Sequence, residues 1–187
     1  MDKLFYCIRN KSEVNPFMEK LGVFDQLGDA VVVTLKDHSL EEIEIPEEIE
    51  GCIVNEIGKE AFLNTSLKRI VLPSTILVVG ENAFPRDAII ELEGIEYDSV
   101  SIVYEVKRRF NEILNEQIDG VIEAVYQQDE FINIVRSCKT MDEVFEKVQE
   151  RFGLSEIQTK TILDIPLNLL SQLDVSQLES LKIDMDN

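Results

Sequence analysis

Histidine, cysteine and basic residues are scarce in this chain of 187 residues, and each scarcity excludes something. His38 is the only histidine, so a histidine-based triad or metal site has no companion to draw on. It sits in KDHS, which reads as a turn. Three cysteines, Cys7, Cys52 and Cys138, are odd in number and far apart, and none belongs to a CxxC pair. That excludes a disulfide framework and a zinc knuckle, and the thiols read as reduced, mostly buried small apolar residues. Five prolines and eight glycines are too few for a low-complexity chain. No stretch approaches the length that spans a bilayer, and MDKLFYCIRNK lacks the apolar run of a signal peptide, so the expected location is the cytoplasm. No phosphate-binding glycine loop and no EF-hand loop occurs. The expectation is a protein without catalysis, without a cofactor and without a metal.

The shortage of bases is the largest departure from the ordinary. Thirty-seven acids oppose eighteen bases, for a formal net charge of -19. The excess is spread over both halves, about -7 in residues 1–90 and about -12 in 91–187. Such a field repels nucleic acid and anionic membrane and attracts basic surfaces. Two readings stand side by side. One is solubility. The other is competition with DNA or RNA for a basic groove. Carboxylate pairs are so common here that their pairing carries no information.

What is present is a chain that can fold. Apolar residues make up 44% and charged residues 29%, and the length suits one large domain or two small ones. Residues 12–22 read as a short helix with Val14, Phe17, Met18 and Leu21 on one face, Pro16 early and Gly22 as its stop. Ala30 to Leu35 is a β-branched run that suits a strand. Residues 40–62 and 67–84 then repeat one another. Leu40, Ile43, Ile45 and Pro46 align with Leu67, Ile70, Leu72 and Pro73. Ile57-Gly58 and Ala61-Phe62 align with Val79-Gly80 and Ala83-Phe84. The first copy carries about five extra residues around Gly51.

In each copy an alternating strand is stopped by proline, glycine permits a turn, and the Ala-Phe pair fills the space between coils. One such unit cannot bury its own face, so the copies must stack. The pattern resembles the BspA-like leucine-rich repeats over roughly residues 30–95, with AIIELEG at 88–94 closing the stack. If the isoleucines face inward, Glu41, Glu42, Glu44, Glu47, Glu48 and Glu50 face outward. They form the densest negative patch on the chain, either a solvated face or a contact surface for a partner.

From Val100 the period becomes helical. Val103, Val106, Phe110, Ile113, Ile118, Val121 and Val125 form the stripe of a long amphipathic helix that needs a partner helix. Thr140 with Glu143 and Ser155 with Gln158 mark two capping boxes, Ser176 with Glu179 a third, and Gly153 a C-terminal stop. The segment from Ile118 to Asp174 resembles the A subunit of bacterial type IIA topoisomerases, gyrase and topoisomerase IV, at the lower gate near the end of the coiled-coil stalk. The resemblance rests on Gly120, the IVRSCKT segment at 134–140, Phe152 to Gln158, Ile162, Leu163, Leu167, Leu170 and Leu173. It implies a homodimer, with Ile162, Ile165, Pro166, Leu167, Leu169 and Leu170 as candidate interface, although core is the default reading for any one of the apolar ones.

The chain departs from that family at Pro166, which removes a helical hydrogen bond and should split the gate helix. The returning stalk helix is also cut short. The family's nucleophilic tyrosine follows an arginine, and none of Tyr6, Tyr97, Tyr104 or Tyr126 does, so all four read as packing residues. Lys107-Arg108-Arg109 is the one positive spot and reads as paired within its helix to Glu105 and Glu112.

The expected architecture is α+β: a repeat unit over 1–96 and a helical, gate-like dimerisation domain over 97–187. Three functions suit it. One is an acidic homodimer that inhibits a nucleic-acid enzyme, such as a nuclease, by occupying its basic groove, as phage or mobile-element counter-defence proteins do. The second is a modulator of gyrase or topoisomerase IV. The third is a structural dimeric scaffold. Neither nucleic acid nor membrane is an expected direct partner.

Overall fold

The computed structural model describes residues 4–8 and 30–182. The helix expected over 12–22 lies outside them. The fold is α+β. Among the described residues, strands run as far as Tyr97 and helices follow, in two compact units that part between Phe110 and Asn111.

The first unit is built from strands stacked in register. Its elements are β1 (Leu4–Ile8), β2 (Ala30–Leu35), β3 (Glu42–Glu44), β4 (Glu48–Ile49), β5 (Cys52–Ile57), β6 (Arg69–Leu72), β7 (Val78–Val79), β8 (Ile89–Leu92) and β9 (Ile95–Tyr97). One sheet runs β1-β2-β5-β4 with β7 added to β5, and the other runs β3-β6-β8-β9. The pairings β2–β5–β7 and β3–β6–β8 are parallel, as stacked coils require. The opening segment, featureless as a sequence, supplies β1, which closes antiparallel on β2.

The aligned repeat positions meet in space. Ile43 pairs with Ile70 and Ile70 with Ile90, and Ile57 pairs with Val79. Each isoleucine of that first row is buried. The Phe62 and Phe84 rings stack at 6.1 Å between centroids, and the Phe62 amide donates to the Ala83 carbonyl at 2.7 Å. Even the backbone repeats: Glu60 and Asn82, equivalent in the alignment, both take positive φ (56° and 52°). Lys59 and Glu81 form an ion pair across the two turns at 2.8 Å.

The residues extra to the first copy form the hairpin β4–β5. Ile49 pairs with Cys52 around Glu50-Gly51, whose φ values of 53° and 82° are those of a tight two-residue turn. Glu93-Gly94 (52° and 79°) repeats this turn between β8 and β9, so the third strand is followed by an antiparallel edge strand.

The helix α1 (Ser101–Tyr126) begins in the first unit and continues in the second. Its start is fixed by Asp98, whose carboxylate accepts from the Val100 and Ser101 amides and the Ser101 hydroxyl. The buried stripe begins at Ile102 rather than at Val103, which lies outward. Ile102 and Val106 join the core of the first unit. Leu114, Ile118, Val121 and Ala124 are buried farther along.

The remaining helices are α2 (Gln128–Ser137), α3 (Met141–Phe152), α4 (Glu156–Asp164), α5 (Leu167–Leu170) and α6 (Val175–Glu179). Thr140 caps α3 by accepting from the Glu143 amide, although the Glu143 carboxylate reaches the Lys139 amide and not that of Thr140. Gly153 ends α3 in the left-handed conformation. Ser155 and Gln158 form a complete capping box on α4. The third box does not form: Asp174, not Ser176, caps α6, and its side chain reaches both the amide and the hydroxyl of Ser176. Pro166 does split the gate segment. α4 stops at Asp164, Ile165 is extended, and α5 restarts beyond the proline.

Candidate interaction surfaces

Two surfaces follow from these elements, one in each unit. In the first unit, the two-residue period of β3 and the hairpin puts Ile43, Ile45 and Ile49 inside. Glu41, Glu42, Glu44, Glu47, Glu48 and Glu50 are all exposed, as the period required. Of these, Glu41 is bound to Lys68 at 2.7 Å, and Glu50 is bound to the Tyr6 hydroxyl, whose ionisation it pushes upward.

The outward face of the sheet β3-β6-β8-β9 continues the patch. Register places Glu44 beside Val71, Val71 beside Glu91 and Glu91 beside Glu96. Arg69 stands among them, ion-paired to Glu91 and bonded to Glu96 Oε1 at 3.1 Å, and Glu91 holds its guanidinium above its usual value. Sequence reading missed this network, since Glu91 and Glu96 become neighbours of Arg69 only once three strands align. The period of AIIELEG, which places Glu91 outward, was the available sign.

In the second unit the gate-like segment is fixed to α1 by one side chain. Gln158 Oε1 accepts from the Ser155 amide, and its Nε2 donates to the Glu116 carbonyl at 3.1 Å. Gly120 makes that approach possible. A β-carbon there would stand 2.8 Å from Gln158 Cβ. The two residues stand out separately in the sequence, and the structure joins them. Thr159 and Thr161 are buried with their hydroxyls bonded to the Ser155 and Ile157 carbonyls. Arg151 grips Glu130 through two bonds of 2.7 and 2.9 Å, tying α3 to α2.

The candidate interface residues divide. Ile162, Ile165 and Leu170 are buried within the chain's own core, at 0%, 4% and 1% exposure. Leu169 is half-buried and Pro166 exposed. Leu167 opens α5. Pro166 and Leu169 are thus candidates that keep accessible surface.

Several side chains stand elsewhere than the sequence reading put them. Tyr104 and Tyr126 lie in solvent, at 71% and 68% exposure, and are not packing residues; their offsets along α1 place them off the buried stripe. Tyr6 and Tyr97 do pack against the first core. None of the cysteines is buried: Cys7 is exposed, and Cys52 and Cys138 are half-buried. His38 lies in its turn, 3.3 Å from the Asn64 carbonyl. Two of the basic trio are paired: Arg108 and Arg109 both reach Glu105, and Arg109 also reaches Glu93. The Arg108 hydrogen bond, with help from the charges of Arg108 and Arg109, holds the Glu105 carboxyl below its usual range. Among the described residues no three histidine, cysteine or acidic side chains gather as metal ligands would, and no helix is long and apolar enough to cross a membrane.

Comparison with known proteins finds DNA gyrase A subunits among the relatives. No family model matches the chain. The DNA gyrase A subunit of Thermotoga maritima is 26% identical over 187 aligned positions, which cover 90% of this chain and 23% of that protein. The gyrase A protein of Clostridium acetobutylicum is 30% identical over 142 positions, covering 68% and 17%. That of Lawsonia intracellularis is 43% identical over 60 positions, covering 32% and 7%. The chain thus spans less than a quarter of the length of these relatives.

Proposed function

We propose that this chain is a non-catalytic association module that regulates a type IIA topoisomerase, with its helical unit pairing with the gate region of gyrase A. In the absence of that partner it pairs with a second copy of itself. One observation carries the reading: the similarity to gyrase A is highest over stretches of 60 to 63 residues. That is about the length of the segment from Ile118 to Asp174. The seam in which Gly120 accepts Gln158 supports it physically, because it fixes the segment on α1 as a preformed surface. No tyrosine here follows an arginine, so the module brings no strand-cutting nucleophile of the topoisomerase kind.

The test is capture of purified gyrase A by the tagged chain, paired with a supercoiling assay. Association and altered supercoiling are expected. Gyrase that fails to bind at micromolar concentration and supercoils normally would remove the proposal.

A second reading has its own observation. Six glutamates between residues 41 and 50 are exposed together on one ridge. In this reading the repeat unit occupies the basic groove of a nucleic-acid enzyme and displaces its substrate. Charge reversal at Glu47 and Glu48 should then relieve inhibition of such an enzyme, while leaving gyrase association unchanged.

A further inference from the structure

The strand β3 ends its sheet. It pairs with β6 on one side, and no described strand lies on the other. The bonds from the Ile45 amide to the Val71 carbonyl and from the Arg69 amide to the Glu41 carbonyl turn the odd-numbered residues toward β6. Alternate residues of a parallel ladder bond to opposite sides. The backbone amides and carbonyls of Glu42 and Glu44 therefore face the open edge. The other sheet differs here, since β2 covers the corresponding strand of the same coil, β5.

The open edge borders a hollow. A cavity of about 410 Å³ meets β3, walled by Leu4, Ile43, Pro46 and Ile49, rimmed by Glu42 and Glu44, and reaching Arg69 and Val71 of β6. Leu4, Ile43 and Ile49 are buried residues, so that side of the hollow is apolar, while Glu42, Glu44 and Arg69 make the rest of it polar. A free strand edge beside an apolar hollow is the geometry that takes up an extended peptide as a further strand.

The molecule itself shows which peptide suits β3. The strand on its occupied edge enters as Lys68-Arg69-Ile70. Lys68 is ion-paired to Glu41, Arg69 lies in register with Glu42, and Ile70 lies against Ile43 in the core. A guest on the free edge meets Glu42, Ile43 and Glu44, with the two glutamates on the outer face and Ile43 within, and Glu44 faces the apolar Val71 on its occupied side. A second copy of β3 does not suit this edge, since glutamate would stand against glutamate.

We propose that the free edge of β3 takes up an extended segment of a partner protein with two basic residues flanking one apolar residue. The basic residues stand beside Glu42 and Glu44. The apolar one enters the hollow against Ile43 and Ile49. This proposal concerns the first unit and does not rest on gyrase association, so either can fail alone.

The test uses the full chain and a fluorescent synthetic six-residue peptide carrying lysine-isoleucine-arginine at its centre, followed by anisotropy. Saturable binding is expected. It should weaken at least about tenfold in Glu42→Lys/Glu44→Lys, and equally when the peptide amides that face β3 are N-methylated. Glu47→Lys/Glu48→Lys should change it by less than about threefold. Glu42 and Glu44 are exposed, and circular dichroism would verify that their variant folds. Binding that tolerates N-methylation, or that falls equally in both double variants, would reveal only the acidic field and overturn the strand. Absence of saturation up to about 1 mM peptide would overturn it as well.

Discussion

Gly80 is the residue on which the stacking of the first unit depends most closely. A β-carbon there would lie 2.3 Å from the Lys59 amide nitrogen, and a backbone atom cannot swing aside. Gly80→Ala should therefore cost about 1–3 kcal/mol, the range for overpacking, in urea denaturation. Gly51→Ala meets open space and costs only the strain of its positive φ, about 1–2 kcal/mol. Phe62, fully buried and stacked on Phe84, should cost about 3–5 kcal/mol on truncation to alanine. The sign of the acid response also belongs to single residues. Amide and hydroxyl donors hold the carboxyls of Asp98 and Asp174 below their usual range, Lys59 that of Glu81 and Lys160 that of Glu156. The native state then binds fewer protons than the unfolded chain. The stabilisation is complete above the unfolded carboxylate range and lost as pH falls through the depressed values. An acid titration followed by circular dichroism should show unfolding below about pH 4. These positions were legible to unequal degrees. The repeat exposed Gly80 and Phe62 in the sequence, because the same residues recur at the same offsets. Gly120 was visible only as a resemblance, since a close approach between helices leaves no period to read.

Among elements, α4 carries the clearest division of labour. Ser155 caps it, and Gln158 both completes the box and bonds to the Glu116 carbonyl on α1. Ser155→Ala should cost about 1 kcal/mol. Gln158→Ala should cost more, since it frees two backbone partners, and the double variant should cost less than the sum because the residues share a network. Thermal denaturation of the three variants checks this. Substitutions on the gate face also sort by element. Ile162→Asp should unfold the second unit, because its side chain is fully enclosed. Leu169→Asp, on half-buried α5, should leave the fold intact and weaken self-association in sedimentation. Helix starts were readable where a cap and its partner lie three residues apart, and Pro166 announced the break. The third box failed because Asp174 competed for the same turn. Strand β1 was not readable at all, since its identity depends on pairing with β2, a partner distant in sequence.

At the scale of the whole molecule, the acidic ridge and the gate-like segment belong to different units. The exposed glutamates of residues 41–50 and the sheet face around Arg69 belong to the first unit. The gate-like segment belongs to the second, while the similarity to gyrase A subunits covers 90% and 68% of the chain in two relatives. The α+β order was legible because the hydrophobic period changes near residue 100. The partition of Ile162, Ile165 and Leu170 into core was not, because an apolar residue on a short helix fits either a core or an interface. The central claim is that the second unit binds gyrase A through this segment. Isothermal calorimetry of the full chain against purified gyrase A tests it most directly, with Leu169→Asp beside the unaltered chain and Glu42→Lys/Glu44→Lys as control. Saturable binding is predicted, weakened at least about tenfold by Leu169→Asp and unchanged by the glutamate variant. Absence of heat and of saturation, or binding lost only in the glutamate variant, would contradict the account.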